Sequence, residues 1–267
     1  MDKKQAIGIF DSGVGGLTVA KAITDLLPQE SFIYFGDTRH APYGDKSPQT
    51  IREYSQRISR FLVSQNCKAI VIACNSASAA AYEHLRDDFP HIPIVNVIDP
   101  AVDFIAHSDA QKVGIIATRA TVRSKVYVTR IKALNENLSV VQKATPLLAA
   151  LIEEGFAGTE VSRRVLAHYL NHSSLKKLSD LILGCTHYPL LEKEIADHLG
   201  PEVRVLNSAK LAALALQKLL KERDLLQEEN RESIRRFFVS EKTPAFAKIA
   251  KMFFGQEIRL EEMFLRQ

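Results

Sequence analysis

The chain has no tryptophan, only three cysteines, and no apolar run of the length a membrane helix requires. Crossing a bilayer takes about 18 to 20 consecutive apolar residues, so no membrane partner is expected. The cysteines are Cys67, Cys74 and Cys185. An odd, low count argues against a disulfide framework, and no C-x-x-C pair suggests a zinc site. Charge of one sign is also scarce, with 35 Lys and Arg against 31 Asp and Glu, a net +4. No aromatic residues interleave with a basic patch, so no nucleic-acid partner is expected. Met1 to Gln5 lead into a short apolar run without an A-x-A-like cleavage site, which makes the cytoplasm the expected compartment.

What is present is an ordinary globular composition, 46% hydrophobic and 25% charged over 267 residues, enough for one large or two smaller domains. Short apolar runs alternate with helix-length segments. The strand candidates are Ile7–Phe10, Ser31–Phe35, Ala69–Ala73, Ile94–Ile98, Val113–Ala117, Leu138–Val141, Leu181–Leu183 and Val203–Leu206. Continuous apolar strands of this kind are those of a parallel sheet covered on both faces, an α/β fold. The runs also repeat. Ile7 to Ser12 resembles Val113 to Thr118 at an offset of 106, and Phe32 to Phe35 has its counterpart in Leu138 to Val141. Ile70 to Asn75 matches the run ending Gly184-Cys185-Thr186 at 111, and Val95 to Ala101 matches Val203 to Ala209 at 108. Four pairs in the same order predict two similar α/β units. Leu211–Gln267 reads as mostly helical, and its charge run Lys221–Arg236 as a solvated helix face.

Cys74 and Cys185 each follow an apolar strand and precede a polar pair, Asn75-Ser76 and Thr186-His187. Doubly wound sheets bind ligands outside the carboxyl ends of their strands. A cysteine there sits near a helix N-terminus, where free N–H groups favour the thiolate. Two such thiols at matched positions suit a thiol–disulfide pair, or proton transfer at a stereocentre. Inverting a carbon needs a base on one face and an acid on the other, and two similar halves place one on each side. The developing carboxylate charge must then be stabilised by backbone N–H groups and hydroxyls. Cys67 has no counterpart and reads as structural.

The turn Asp11-Ser12-Gly13-Val14-Gly15-Gly16 fits neither G-x-G-x-x-G nor the phosphate loop, and its glycines permit close backbone approach to a ligand. Asp11 could hold a ligand ammonium, tune a thiol, or cap a helix, as could Ser12. Pro42-Tyr43-Gly44 is turn-like and in a cleft would offer N–H groups to a carboxylate. His187, two residues after Cys185, could relay protons or pair with a thiolate.

Taken together, Asp11 to Leu17, Pro42-Tyr43-Gly44, Ala73-Cys74-Asn75-Ser76-Ala77-Ser78 and Gly184-Cys185-Thr186-His187-Tyr188-Pro189 resemble the glutamate racemases of the cofactor-independent aspartate/glutamate racemase superfamily. The resemblance covers nearly the whole chain. It implies two pseudosymmetric doubly wound domains with the active site in the cleft between them, the first formed by residues 1–98 and 208–267 and the second, inserted, by 99–207. It implies Cys74 and Cys185 as the acid/base pair, with Asp11, His187 and Glu153 assisting. Asp11, Ser12, Tyr43, Gly44, Asn75, Ser76, Thr118, Thr121, Thr186 and His187 would hold the amino acid. No cofactor and no metal are implied, and D-glutamate would feed peptidoglycan synthesis. Family members are often dimers, so a homodimer is within the expectation.

The sequence departs from the family at Ser76, where Thr is usual, and at Thr145, where Cys is common before Pro146. His187 favours glutamate, since related aspartate racemases tend to carry Glu there. The alternatives are a relative acting on aspartate or another small dicarboxylate, and a binding protein with a macromolecular partner such as DNA gyrase.

Overall fold

The computed structural model describes residues 1–229 and 232–265. In chain order the first half contains β1 (Ile7–Asp11), α1 (Leu17–Leu26), β2 (Phe32–Gly36), α2 (Pro48–Ser64), β3 (Ala69–Ile72), α3 (Asn75–Asp88), β4 (Ile94–Asn96) and α4 (Asp99–Ala106). The middle contains β5 (Lys112–Ala117), α5 (Arg119–Ser124), α6 (Val126–Leu134), β6 (Ser139–Ala144), α7 (Leu147–Glu153), α8 (Glu160–Leu170), β7 (Asp180–Gly184), α9 (Glu192–Leu199) and β8 (Arg204–Asn207). α10 (Ser208–Glu222), β9 (Arg235–Val239), α11 (Pro244–Phe254) and β10 (Leu260–Glu262) complete it.

Two parallel sheets result, ordered β10-β9-β2-β1-β3-β4 and β6-β5-β7-β8. The central strands β1, β3 and β7 are buried at every position, which is why they read as unbroken apolar runs. The order β2-β1-β3-β4 is repeated by β6-β5-β7-β8, so the two units predicted from the repeats exist. The register repeats as well. Ile7 faces Ala69 in the first sheet and Val113 faces Asp180 in the second, which are the 106 and 111 offsets of the inner strands. The outer pairs differ from the sequence match. Ile7 faces Phe32, whereas Val113 faces Val140, two residues beyond the expected partner. Ile70 faces Ile94 and Leu181 faces Val205, which shifts that match by three. The outer strands β6 and β8 are partly exposed and mix polar with apolar residues, so their apolar runs mark the pairing less sharply.

The carboxyl-terminal stretch is not mostly helical. β9 and β10 extend the first sheet beyond β2, with Tyr34 opposite Phe237 and Phe237 opposite Leu260. The run Lys221–Arg236 is likewise not one helix face. α10 ends at Glu222, Arg235 and Arg236 open β9, and residues 230 and 231 lie outside the described residues.

The chain passes from the first sheet to the second through α4 and returns through α10, which packs on both α1 and α4. A common apolar core runs through the junction, from Leu17 and Ile23 to Leu183, Tyr188, Leu216 and Phe253. The carboxyl ends of β1, β3, β5 and β7 thus meet at one cleft. Among the described residues no helix is long and apolar enough to cross a membrane.

Candidate active site

The cleft between the two sheets has a volume of about 460 Å³, and both Cys74 and Cys185 line it. Cys74 is the N-cap of α3. Its sulfur accepts the Ala77 N–H at 3.5 Å and its thiol donates to Ser12 Oγ at 3.6 Å. Two residues of turn after β3 suffice to bring it to the cleft floor, where it is 6% exposed. The helix N-terminus does not win here. Burial pushes the Cys74 thiol up to about 12, and the Asp11 carboxylate adds to that, against the opposing pull of Ala77 N–H and Ser12. The expectation that this setting lowers the thiol pKa is therefore corrected at Cys74.

Cys185 has different surroundings. No α-helix begins beside it; a single 3-10 turn, Tyr188–Leu191, separates it from α9. Its partner is a side chain instead. His187 Nδ1 lies 3.7 Å from the Cys185 sulfur, and His187 Nε2 lies 2.7 Å from Glu153 Oε1 at the end of α7. Burial opposes charge on His187, but the hydrogen bonds to Cys185 and Glu153 outweigh it and raise the ring to about 10. The imidazole is thus held protonated between a sulfur and a carboxylate. The ring edge also packs on Phe253 of α11, centroid to centroid 5.0 Å.

The hydroxyls gather on the Cys74 side. Ser76 Oγ and Thr118 Oγ1 are 2.9 Å apart across the two lobes, and Thr121 Oγ1 joins them at 3.5 and 3.2 Å. Thr118 caps α5 and lines the cleft with Ser76; Thr121 is buried behind them and does not. Asn75 is 2% exposed. Its Oδ1 accepts the Tyr127 hydroxyl at 2.8 Å, which leaves its Nδ2 buried without a partner at the cleft wall. Ser12, Gly44, Thr186 and Glu153 line the cleft as well.

Two further residues sit otherwise than a direct ligand would. Asp11 is fully buried beneath the lining, with Oδ2 accepting the Gly13 N–H at 3.0 Å and Oδ1 unpaired. Burial raises its pKa, offset in part by charge on His187 and by backbone N–H groups. Tyr43 lines the cleft with its backbone turn, but its hydroxyl donates away from it, to Asp37 Oδ2 at 2.5 Å. Cys67 is buried against Leu62 and Gly8, and burial alone raises it to about 12, as befits a packing residue.

Sequence reasoning missed several parts of this arrangement. Asp37, 3% exposed, accepts hydrogen bonds from Tyr43, His40 Nδ1 and Ser240, and so pins the loop that carries Gly44. It stands just after β2, much as Asp11 closes β1, a signal visible in the sequence. Thr145 and Phe246 line the cleft too, and Thr145 Oγ1 lies 2.7 Å from the Tyr188 hydroxyl.

Known proteins resemble this chain along nearly its whole length. The model of the Asp/Glu/hydantoin racemase family matches residues 17–216. A glutamate racemase of Geobacter metallireducens is 42% identical over 255 residues, covering 95% of this chain and 94% of that protein. The crystal structure of glutamate racemase from Francisella tularensis in complex with D-glutamate superposes with a TM-score of 0.92 at 36% identity, covering 98% of each chain. That of a glutamate racemase from Bacillus anthracis gives 0.93 at 35% identity, again over 98% of each.

Proposed function

The chain belongs to the Asp/Glu/hydantoin racemase family, and on that premise we propose that it interconverts L- and D-glutamate by moving protons between two cysteines, without a cofactor. The observation that carries this reading is the single cleft lined by Cys74 from one lobe and Cys185 from the other. The two lobes are the proposed domains, residues 1–98 with 208–267 and residues 99–207.

The surroundings of the two sulfurs differ in a way that sets the cycle. Cys74 rests as the thiol, held neutral by burial and by the nearby Asp11 carboxylate. Cys185 has the His187 imidazolium against its sulfur, with Glu153 holding the far side of the ring. Cys185 takes the α-proton from one face of glutamate, and Cys74 gives its own proton to the opposite face. The product enantiomer leaves the two sulfurs with their protonation exchanged. A thiolate at Cys74 beside buried Asp11 places two like charges together, which the substrate ammonium offsets while it is bound. Negative charge developing on the α-carboxylate falls to the free Asn75 Nδ2 and to the hydroxyls of Ser76, Thr118 and Thr186. Asp11 and Thr121 act from behind the lining, on Cys74 and on the two hydroxyls.

Glutamate is preferred to aspartate in this reading, as the similarity to glutamate racemases supports. The product D-glutamate serves peptidoglycan synthesis, the role carried by the family resemblance. Purified protein with L-glutamate, D-glutamate or L-aspartate and no added cofactor tests the reading by loss of optical rotation. Loss on both glutamate enantiomers with little on aspartate supports it; equal or faster loss on aspartate overturns the substrate.

A further inference from the structure

The cleft proposed for a dicarboxylate holds one permanent cation. Among the described residues that line it, Arg119 is the sole arginine or lysine, beside the carboxylates of Asp45 and Glu153. Arg119 opens α5 in the second lobe, and Asp45 ends the 3-10 turn Tyr43–Asp45 in the first. Its Nη1 donates to Asp45 Oδ1 across the rim at 3.2 Å, with 55% and 60% of the two side chains exposed. The lobes meet closely at this point, since a Cβ on Gly44 would lie 3.0 Å from Thr118 Cβ. Beside the crossover helix α4, a separate bridge links Arg130 to Glu83 and Asp99, so the lobes do not depend on Arg119 to stay together.

An ion pair this exposed contributes little to stability. That is too weak to brace two lobes, but suits a contact that is exchanged for another carboxylate. Resting on the glutamate reading above, we propose that Arg119 captures the dicarboxylate substrate at the mouth of the cleft, with Asp45 as an exchangeable latch. A substrate carboxylate displaces Asp45 from the guanidinium, moves on to the hydroxyls of Ser76 and Thr118, and the bridge re-forms over the filled cleft.

This arrangement predicts opposite signs for its two partners. Without Arg119 the mouth keeps the repelling Asp45 and loses its cation. Without the Asp45 charge, Arg119 is free. A bridge that merely braced the lobes would make both variants lose alike. The test compares Arg119→Ala, Arg119→Lys and Asp45→Asn with wild type, by steady-state racemisation and by calorimetric binding of L-glutamate. Both are run at about 20 mM and about 1 M salt, where screening shortens to about 3 Å. At low salt, Arg119→Ala is expected to lose about 5- to 10-fold in kcat/KM, chiefly through KM, and Asp45→Asn to gain about 2- to 3-fold. Arg119→Lys keeps most of the wild-type value, and at high salt all four proteins converge to within about twofold. Equal losses in both charge-removing variants, an undiminished loss at high salt, or wild-type behaviour of Arg119→Ala overturns the latch. Should wild type bind glutamate without turning it over, the racemase reading fails, and the latch is upheld or overturned by the signs of the calorimetric affinities. Absence of glutamate binding overturns both.

Discussion

Gly15 in the first lobe lies against the ring of His187 in the second so closely that a Cβ on it would come within 2.4 Å of Cε1 and Nδ1. The same Cβ would meet Thr186 Oγ1 at 2.6 Å, and nearby Thr18 Oγ1 donates to the Thr186 carbonyl at 2.8 Å. The glycine at this position thus serves the approach of one lobe to the other, where the sequence suggested approach to a ligand. Gly15→Ala must displace the ring or part the lobes, an overpacking cost of about 1–3 kcal/mol. We expect a loss of about 100-fold or more in kcat/KM and a lowered melting temperature. Gly13→Ala, where the nearest atom is Ala41 Cβ at 3.7 Å, should melt as wild type does. Equal melting of the two variants would contradict this account.

The protonated His187 has a pH signature. Its ordinary value is 6.5; burial pulls that down, but hydrogen bonds to Cys185 and Glu153 bring it to about 10 in the fold. A raised pKa means stabilisation that is complete below about 6.5 and lost as pH rises through about 10. Urea midpoints should therefore decline over that window. Glu153→Gln removes one of the two groups holding the proton, so the decline should flatten and the alkaline limb of kcat/KM should move to lower pH. A limb that stays in place in Glu153→Gln would show that Glu153 does not hold the proton.

The Ser76–Thr118 hydrogen bond joins the lobes at the proposed carboxylate cradle. A hydrogen bond of this kind contributes about 0.5–1.5 kcal/mol, so Ser76→Ala should raise KM for glutamate up to about 10-fold. Ser76→Thr restores the family's usual residue and keeps the hydroxyl, and should stay within about twofold of wild type in steady-state kinetics.

Lys68 and Glu30 form a buried pair at 2.6 Å, with side chains 0% and 1% exposed. Lys68 Nζ also donates to the carbonyls of Lys3 and Leu225, tying the start of β3 to the segment after α10. Lys68→Ala would leave the buried Glu30 without its cation, at a cost of about 3–5 kcal/mol. Denaturant unfolding should register that loss, whereas kcat/KM of the folded fraction should remain as in wild type.

The eight strands from β1 to β8 were legible because each contains or overlaps a short apolar run, and the two units because the inner strands repeat with their register. β9 was not, because Arg235 and Arg236 precede Phe237 and Phe238 and merge the strand with a charge run. β10 is three residues long and ends in two glutamates, too short and polar for an apolar run to mark it. Cys74, Cys185 and His187 were legible from their place after strand ends. The burial that raises Cys74, and the recession of Asp11 and Thr121 behind the lining, were not. Both depend on how the lobes pack, which strand and helix periodicity does not encode.

The central claim is that two sulfurs act from opposite faces. The direct measurement is racemisation of L-glutamate in D₂O, with early-time analysis of deuterium in both enantiomers, for wild type and for Cys74→Ala and Cys185→Ala. The account predicts deuterium in the D-glutamate formed and almost none in the remaining L-glutamate, with racemisation abolished in each variant. Racemisation surviving in either variant, or deuterium entering both enantiomers equally from the start, would contradict it.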